Sequence, residues 1–408
     1  MQYISRELER KVLKFTGFFK AILVTGARQV GKTTMLKHLA EGENRTYVSM
    51  DNQAARELAN RDPVLFFQTY EPPILIDEVQ KAPILFERIK ELCDETDKTG
   101  QFWLTGSQQY KMMSNVRESL AGRVGILTLY SMTQKEKMGI VDEKPPGFTP
   151  EDWKRRKIPG VENNLRGIYD HIWTGGMPQA IYADEELRAD YFNSYVDTYL
   201  LRDAVEDGGI SDYTKFRAFI TACAALVSEQ LNYAYLAEAC GISQPTAREW
   251  IKILEGMGIV YLLKPFSNNA MKRLVKSPKL YFCDTGLCAF LSMWPSAATL
   301  MNGPSNGSFF ENFVVMEFVK NYEYSKETAN LTYYRDDHKK EIDLVIETGA
   351  MLHPIEIKRS SNPDVRDTKK FSLLDKSSIQ RGGGGIVCMC EEPIPLGGDD
   401  CFIPANLI

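Results

Sequence analysis

The chain has 408 residues, 44% hydrophobic and 25% charged, an ordinary composition for a folded protein with enough apolar surface for two to four domains. Lysine and arginine number 49 against 54 aspartates and glutamates, a net charge of −5, so a chain-wide basic face for nucleic acid is excluded and any such face must be local. No apolar run approaches the roughly 18 residues of a membrane span, and Met1–Lys14 lacks the apolar stretch of a signal peptide. The eight cysteines are scattered, with only Cys388 and Cys390 close together, and the four histidines are isolated. That spacing suits no zinc site and predicts reduced, buried thiols in a cytoplasmic protein without a membrane partner.

In chain order, short apolar runs at Phe19–Thr25, Thr46–Met50, Pro73–Asp77, Phe102–Thr105 and Val124–Leu129 alternate with helical patterns. Continuous apolar strands separated by helices predict a parallel sheet covered on both faces, an α/β fold. The stretch Asp142–Gly160 carries four prolines and many charges and reads as a linker or exposed insertion. Helical periodicity follows to about Val227, with Tyr191, Tyr195 and Tyr199 on one packed face. Between Ser228 and Phe266, Tyr233–Ala239 reads as a helix, Gly241 as a turn, Ser243–Leu254 as a second helix capped by Ser243, and Ile259–Leu263 as a strand. Helix, turn, helix and strand in that order predict a winged helix-turn-helix. The remainder is mixed α/β: an amphipathic helix Phe309–Asn321, then strands at Leu331–Arg335, Glu341–Ile346, His353–Ile357 and Ile386–Met389. The expected units are residues 1–135, 136–227, 228–270 and 271–408.

The strongest chemical signal is Gly26-Ala27-Arg28-Gln29-Val30-Gly31-Lys32-Thr33-Thr34, a phosphate loop set between a strand and a helix. The glycines let the loop wrap so that backbone N–H groups face phosphate oxygens, and the helix adds its positive end. Lys32 would meet the β- and γ-phosphates, and Thr33 would ligate Mg²⁺. The strand Ile74–Asp77 ends in Asp77 and Glu78. There Asp77 would hold Mg²⁺ through water and Glu78 would activate the attacking water, a pairing that favours hydrolysis. Thr105, Ser107 or Gln108 at the end of the next strand are candidates to sense the γ-phosphate. Arg123 is a candidate to reach one in cis or from a neighbouring subunit of a homo-oligomer.

These motifs, with Leu104–Gln109 and Leu120–Arg123, resemble an AAA-type P-loop ATPase. They are similar in particular to a family of uncharacterised bacterial and archaeal ATPases with a C-terminal domain of unknown function, through runs at 174–180, 197–203 and 275–287. The resemblance implies a sheet of order 5-1-4-3-2 and a preference for ATP; no guanine-reading Asn-Lys-x-Asp motif is present.

A second constellation lies near the C-terminus. Asp343 on one strand, and Glu356 with Lys358 on one face of the next, resemble the PD-(D/E)xK nucleases, with Glu311 at the position of their helical carboxylate. Against this, Glu-x-Lys on a solvated strand is common. DNA contact would draw on Gln244, Thr246, Arg248 and Lys252, and on a cluster of Lys272, Arg273, Lys276 and Lys279. From Ser228 to Lys276, six cations face four anions, only a weak excess. Three readings therefore stand side by side: an ATPase switch or motor coupled to a DNA-related module, an ATP-gated Mg²⁺-dependent endonuclease, and an ATP-controlled regulator that binds DNA or a protein without cutting.

Overall fold

The computed structural model describes residues 3–107, 119–141, 145–156, 158, 164–206, 209–266 and 277–408. Gln108, Lys272, Arg273 and Lys276 lie outside them. Helix α1 (Leu8–Thr16) leads into β1 (Ala21–Thr25), the phosphate-loop segment and α2 (Lys32–Ala40). Strands β2 (Thr46–Ser49), β3 (Ile74–Asp77), β4 (Phe102–Thr105) and β5 (Val124–Thr128) complete a parallel sheet of order β2-β3-β4-β1-β5, the expected order read from the other edge.

The central strands β1, β3 and β4 are buried along their whole length, which is why they read as unbroken apolar runs, while the edge strands β2 and β5 are partly exposed. Ile22, Val24, Leu75 and Trp103 point into one core; Ala21, Leu23, Ile74, Ile76, Phe102 and Leu104 point into another. The first core continues without a break through the helices beyond β5 to Ile403, Leu407 and Ile408. The C-terminal half is therefore packed against the sheet across a shared apolar interior.

After β5 comes the short helix α3 (Gln134–Lys137), closed by a capping box between Thr133 and Glu136. The Pro-rich stretch is not an exposed linker where it is described. Pro150–Arg155 forms a helix capped by Thr149, Trp153 is 1% exposed, and the Phe148 ring stacks on His353 at 3.7 Å. Its prolines and charges occupy a cap, a first turn and an outer face, positions compatible with a packed helix. Tyr191, Tyr195 and Tyr199 form a ladder of rings about a helical turn apart.

Helices α4 (Tyr213–Ala225), α5 (Tyr233–Cys240) and α6 (Gln244–Gly256) follow, then β6 (Val260–Leu263) and β7 (Lys279–Phe282), paired antiparallel. Gly241, at φ 61°, ends α5, and Ser243 Oγ accepts from the Thr246 N–H at the start of α6, both as the sequence suggests.

Helix α7 (Asn306–Tyr324) is longer than expected and buried on nearly every face, not amphipathic. It lies between the first core and a seven-stranded mixed sheet. That sheet has β8 (Asn330–Arg335), β9 (Glu341–Thr348), β10 (Met351–Ile357), β11 (Gln380–Arg381), β12 (Gly385–Cys388), β13 (Ile394–Gly397) and β14 (Asp400–Pro404), in the order β13-β14-β12-β10-β9-β8 with β11 beside β10. All eight cysteines are buried thiols outside any disulfide. Among the described residues, no helix is long and apolar enough to cross a membrane.

Candidate functional site

The phosphate loop leaves the C-terminal edge of the parallel sheet. Gly26 adopts φ 137°, and a Cβ there would lie 2.1 Å from the Leu129 carbonyl, so only glycine fits. Gly31, at φ 98°, caps α2. Lys32 is 5% exposed and folds back on the loop, donating to the carbonyls of Gly26 (3.0 Å) and Ala27 (2.8 Å).

Asp77 sits at the tip of β3 in a cage of hydroxyls. Its Oδ1 accepts from Thr33 Oγ1 and from Thr105 Oγ1, each at 2.5 Å, and its Oδ2 accepts from the Tyr47 hydroxyl at 3.3 Å. Thr105 also accepts from the Glu78 N–H at 3.1 Å, so one buried hydroxyl fixes both carboxylate residues. Glu78 stands at φ 55°, an uncommon conformation for a residue with a side chain, which turns it sharply off the strand end. Gln80 Nε2 bonds the Glu78 carboxylate and reaches Ser107 Oγ at 3.3 Å. Thr34 is exposed, while Ser107 is 4% exposed.

Lys32, Thr33, Asp77, Glu78 and Ser107 are thus gathered on one edge of the sheet, and Arg123 is not. The register Ala21↔Val124 puts Arg123 at the opposite, N-terminal end of β1, where it forms a two-pronged pair with Asp94 at 2.6 and 2.9 Å. A contact in cis with a nucleotide on the loop is therefore excluded by the strand length. Tyr47 and Gln80 were missed in sequence because neither residue type nor spacing marks them. The Lys37 ammonium lies 3.7 Å from the Tyr47 ring centroid, which steadies that ring.

The C-terminal constellation is brought together in part, around Glu356. Glu356 is 1% exposed; its Oε1 accepts from Lys358 at 2.6 Å and from Lys370 at 2.7 Å, while its Oε2 is buried without a partner. Asp343 Oδ2 accepts from the Ile357 N–H at 2.9 Å. Burial, and then the charge of Asp343, push the Glu356 carboxyl above its ordinary range. The same two causes push Glu311 up to about 7, although Lys279 (2.6 Å) and Tyr281 (2.7 Å) both donate to it. Burial alone would lower the Lys279 ammonium, but Glu311, Asp343 and Glu341 raise it overall. Lys279 faces several carboxylates while Glu311 faces Asp343 as well, so both partners of one ion pair move upward.

Lys279 was expected in a solvent-facing basic cluster. It is instead 4% exposed and paired with Glu311 and Glu341 (2.8 Å), because both faces of β7 are covered and alternation sets Lys279 beside Tyr281 on the face toward Glu311. Lys370 comes from a run of 3₁₀ turns (Val365–Lys376) pinned by buried Phe371 and Leu374, a position no motif spacing reveals. Among the described residues, no three His, Cys, Asp or Glu side chains converge as a ready metal cage.

Three family models match the chain: an AAA domain over residues 18–138, a domain of unknown function (DUF8612) over 165–298, and another (DUF4143) over 306–408. Uncharacterised proteins of Mycobacterium tuberculosis and Mycobacterium bovis are each 28% identical over 390 residues, 95% of this chain and 80% of theirs. Among solved structures, a Walker-type ATPase of Pyrococcus abyssi aligns with 71% of this chain and 96% of its own, at 14% identity and a TM-score of 0.44. The Holliday junction branch migration motor RuvB of Thermotoga maritima aligns with 63% of this chain and 89% of its own, at 18% identity and a TM-score of 0.31. The N-terminal part of the chain has the AAA-type P-loop ATPase fold, joined through helices to a mixed α/β sheet that matches a domain of unknown function.

Proposed function

We propose that the chain binds ATP and hydrolyses it as a switch or motor. Its units in this reading are an ATPase (1–135), a helical region (136–227), a winged helix-turn-helix (228–270) and a nuclease-like domain (271–408). The observation that carries the reading is the gathering of Lys32, Thr33, Asp77 and Glu78 on one sheet edge, tied together by Thr105.

The N–H groups of residues 26–34 receive the phosphates. Lys32 exchanges its loop carbonyls for β- and γ-phosphate oxygens. Thr33 and Asp77 present adjacent hard oxygens, a donor pair that suits Mg²⁺, which would neutralise phosphate charge there. Glu78 takes the proton of the water that attacks the γ-phosphorus, and ADP leaves with the electron pair of the broken P–O bond. Ser107, joined to Glu78 through Gln80, would report the γ-phosphate in this reading. Arg123 would act only on a neighbouring subunit's nucleotide.

The test is phosphate release at saturating ATP. Lys32→Ala should abolish nucleotide binding, and Glu78→Gln should bind ATP without turnover. A Glu78→Gln variant hydrolysing at the wild-type rate removes Glu78 from the mechanism.

A second reading, a Mg²⁺-dependent endonuclease gated by ATP and built on Glu311, Asp343, Glu356 and Lys358, is favoured by Asp343 holding the Ile357 N–H beside Glu356 and by Lys358 pairing with Glu356. The donor set is all oxygen, and the unpartnered Glu356 Oε2 leaves a buried lone pair for a cation. Lys358 would then stabilise charge on the phosphorane. DNA would meet α6, where Gln244 and Arg248 are exposed and Lys252 pairs loosely with Glu249 at 3.3 Å. Plasmid nicking with Mg²⁺ or Mn²⁺ decides this reading: equal behaviour of wild type and Asp343→Ala rejects it. Salt-sensitive DNA binding without cleavage would leave the regulator reading standing.

A further inference from the structure

Arg6 belongs to no motif, yet it touches the phosphate loop directly. It is 2% exposed, and its two terminal nitrogens donate to the carbonyls of Val30 and Tyr130, both at 2.8 Å. Its Nε is 3.1 Å from Glu136 Oε1. A Cβ on Gly31 would lie 3.7 Å from the same guanidinium, so Arg6 backs the loop at the turn into α2.

From Arg6 a continuous polar chain runs to α7. Glu136 accepts from the N–H of Glu7 at 2.8 Å. Glu7 pairs with Lys135 at 3.3 Å, and Lys135 donates to Asn321 on α7 at 2.5 Å. Glu317, also on α7, accepts from the N–H of Gln134 at 3.0 Å and pairs with Lys320 at 3.4 Å. Arg6, Lys135 and Lys320 stand among the carboxyl groups of Glu7, Glu136 and Glu317, all six are buried, and burial pushes the Glu7 carboxyl up to about 7. Glu311 lies six residues before Glu317 on the same helix, about 9 Å along its axis.

We propose that Arg6 is a positioning residue of the phosphate loop and the first member of a buried charged relay. Through that relay, occupancy of the loop by a nucleoside triphosphate alters α7 and the carboxylate it carries. The proposal rests on the ATP reading of the loop.

Two physical points support it. Buried ion pairs are poor stabilisers, since apolar residues of similar volume commonly serve as well, so packing alone gives no reason for six ionisable groups here. The loop also has to change when phosphate arrives. Lys32 now satisfies the Gly26 and Ala27 carbonyls, and drawing its ammonium to a phosphate releases both. Val30 is pinned by Arg6, so the rearrangement is delivered to the guanidinium. In a dry interior, moving one charge obliges its partners to follow.

The experiment is hydrogen exchange of the full chain with and without saturating Mg²⁺ and a non-hydrolysable ATP analogue. In wild type, exchange should change at residues 26–34 and also in 306–324. Arg6→Lys keeps the charge but loses the fork; it should bind the analogue about tenfold more weakly and lose the response in α7. Glu317→Gln, which touches no loop residue, should keep wild-type affinity while losing the α7 response, and it serves if the Arg6 variant is poorly folded. An α7 that ignores the analogue while residues 26–34 respond overturns the relay and leaves the ATP reading intact. No response at 26–34 overturns both. Arg6→Lys or Glu317→Gln with a wild-type response in α7 also overturns the relay.

Discussion

Replacing Thr105 by valine isolates one hydroxyl at the centre of the nucleotide site. The side chain is fully buried, donates to Asp77 Oδ1 at 2.5 Å and accepts from the Glu78 N–H at 3.1 Å. Valine has nearly the same shape, so no cavity forms. What is lost is one hydrogen bond to a carboxylate, about 1.5–3 kcal/mol, and a backbone N–H is left without an acceptor, about 1–3 kcal/mol. The new methyl group gains about 1 kcal/mol by burial, leaving a net loss of about 3 kcal/mol. Glu78 is already held at a positive φ, and this bond is one of the restraints that keep it there. Turnover should therefore fall by about 100-fold, equivalent to about 2.7 kcal/mol, with ATP binding reduced much less. Thr105→Ser keeps the hydroxyl and should recover most of both losses. Phosphate release gives the turnover, and urea unfolding followed by the fluorescence of the five tryptophans, Trp103 on the same strand among them, gives the stability. A Thr105→Val protein with turnover within about twofold of wild type and an unchanged midpoint would refute the role assigned to this hydroxyl.

Three further outcomes follow from the packing and charge of the C-terminal half. Trp153→Ala should cost about 3–5 kcal/mol, the price of emptying a core site, and a solvent-exposed linker would show no loss in urea unfolding. Glu311 holds its proton up to about 7 in the native protein against an ordinary value of 4.5, so the folded state binds more protons in that interval and stability falls as pH rises through it. Wild type should therefore lose stability relative to Glu311→Gln between pH 4.5 and 7, and a constant gap in urea midpoints refutes the shift. Lys358→Ala and Lys370→Ala, each removing a cation about one-third exposed, should cost about 1 kcal/mol apiece. The double variant strands the Glu356 carboxylate and should cost about 3–5 kcal/mol; simple additivity within about 0.5 kcal/mol would show that the two lysines act separately.

What the sequence made legible followed from local rules. The three central parallel strands are continuous apolar runs because both faces are buried, and Gly26, Gly31, Asp77 and Glu78 fall where the turn from strand to helix requires them. Asp343, Glu356 and Lys358 were readable because a strand repeats every two residues. For Arg123 the sequence left contact in cis and contact from a neighbouring subunit both open; the parallel pairing of Val124 with Ala21, which sets the N-terminal end of β5 at the edge of the sheet away from the phosphate loop, removes the first alternative only. Residues 145–156 were misread because proline and charge are equally suited to a loop and to the first turn and outer face of a packed helix. Lys370 and Arg6 could not be found at all. Each acts across a long sequence separation on a partner, Glu356 or Val30, that only the folded chain brings near.

The net charge has to be weighed against burial in the same way. Counting 49 cations treats each as surface charge, yet Arg6, Lys32, Lys135, Lys279 and Lys320 are all 5% exposed or less. Each of them is engaged by carbonyls or carboxylates inside the molecule. Among the described residues five carboxylates are as deeply buried, Glu7, Glu136, Asp284, Glu317 and Glu356, so taking both sets out of the count leaves the exterior balance where it was. The interior charges thus nearly cancel, and the exterior keeps a mild negative excess that repels a polyanion everywhere but at a local site. Any DNA contact must therefore come from a few residues such as Arg248 and Lys252, and its salt dependence should correspond to about two or three phosphates. A slope as steep as that of a protein neutralising eight or more would require a basic face outside the described residues.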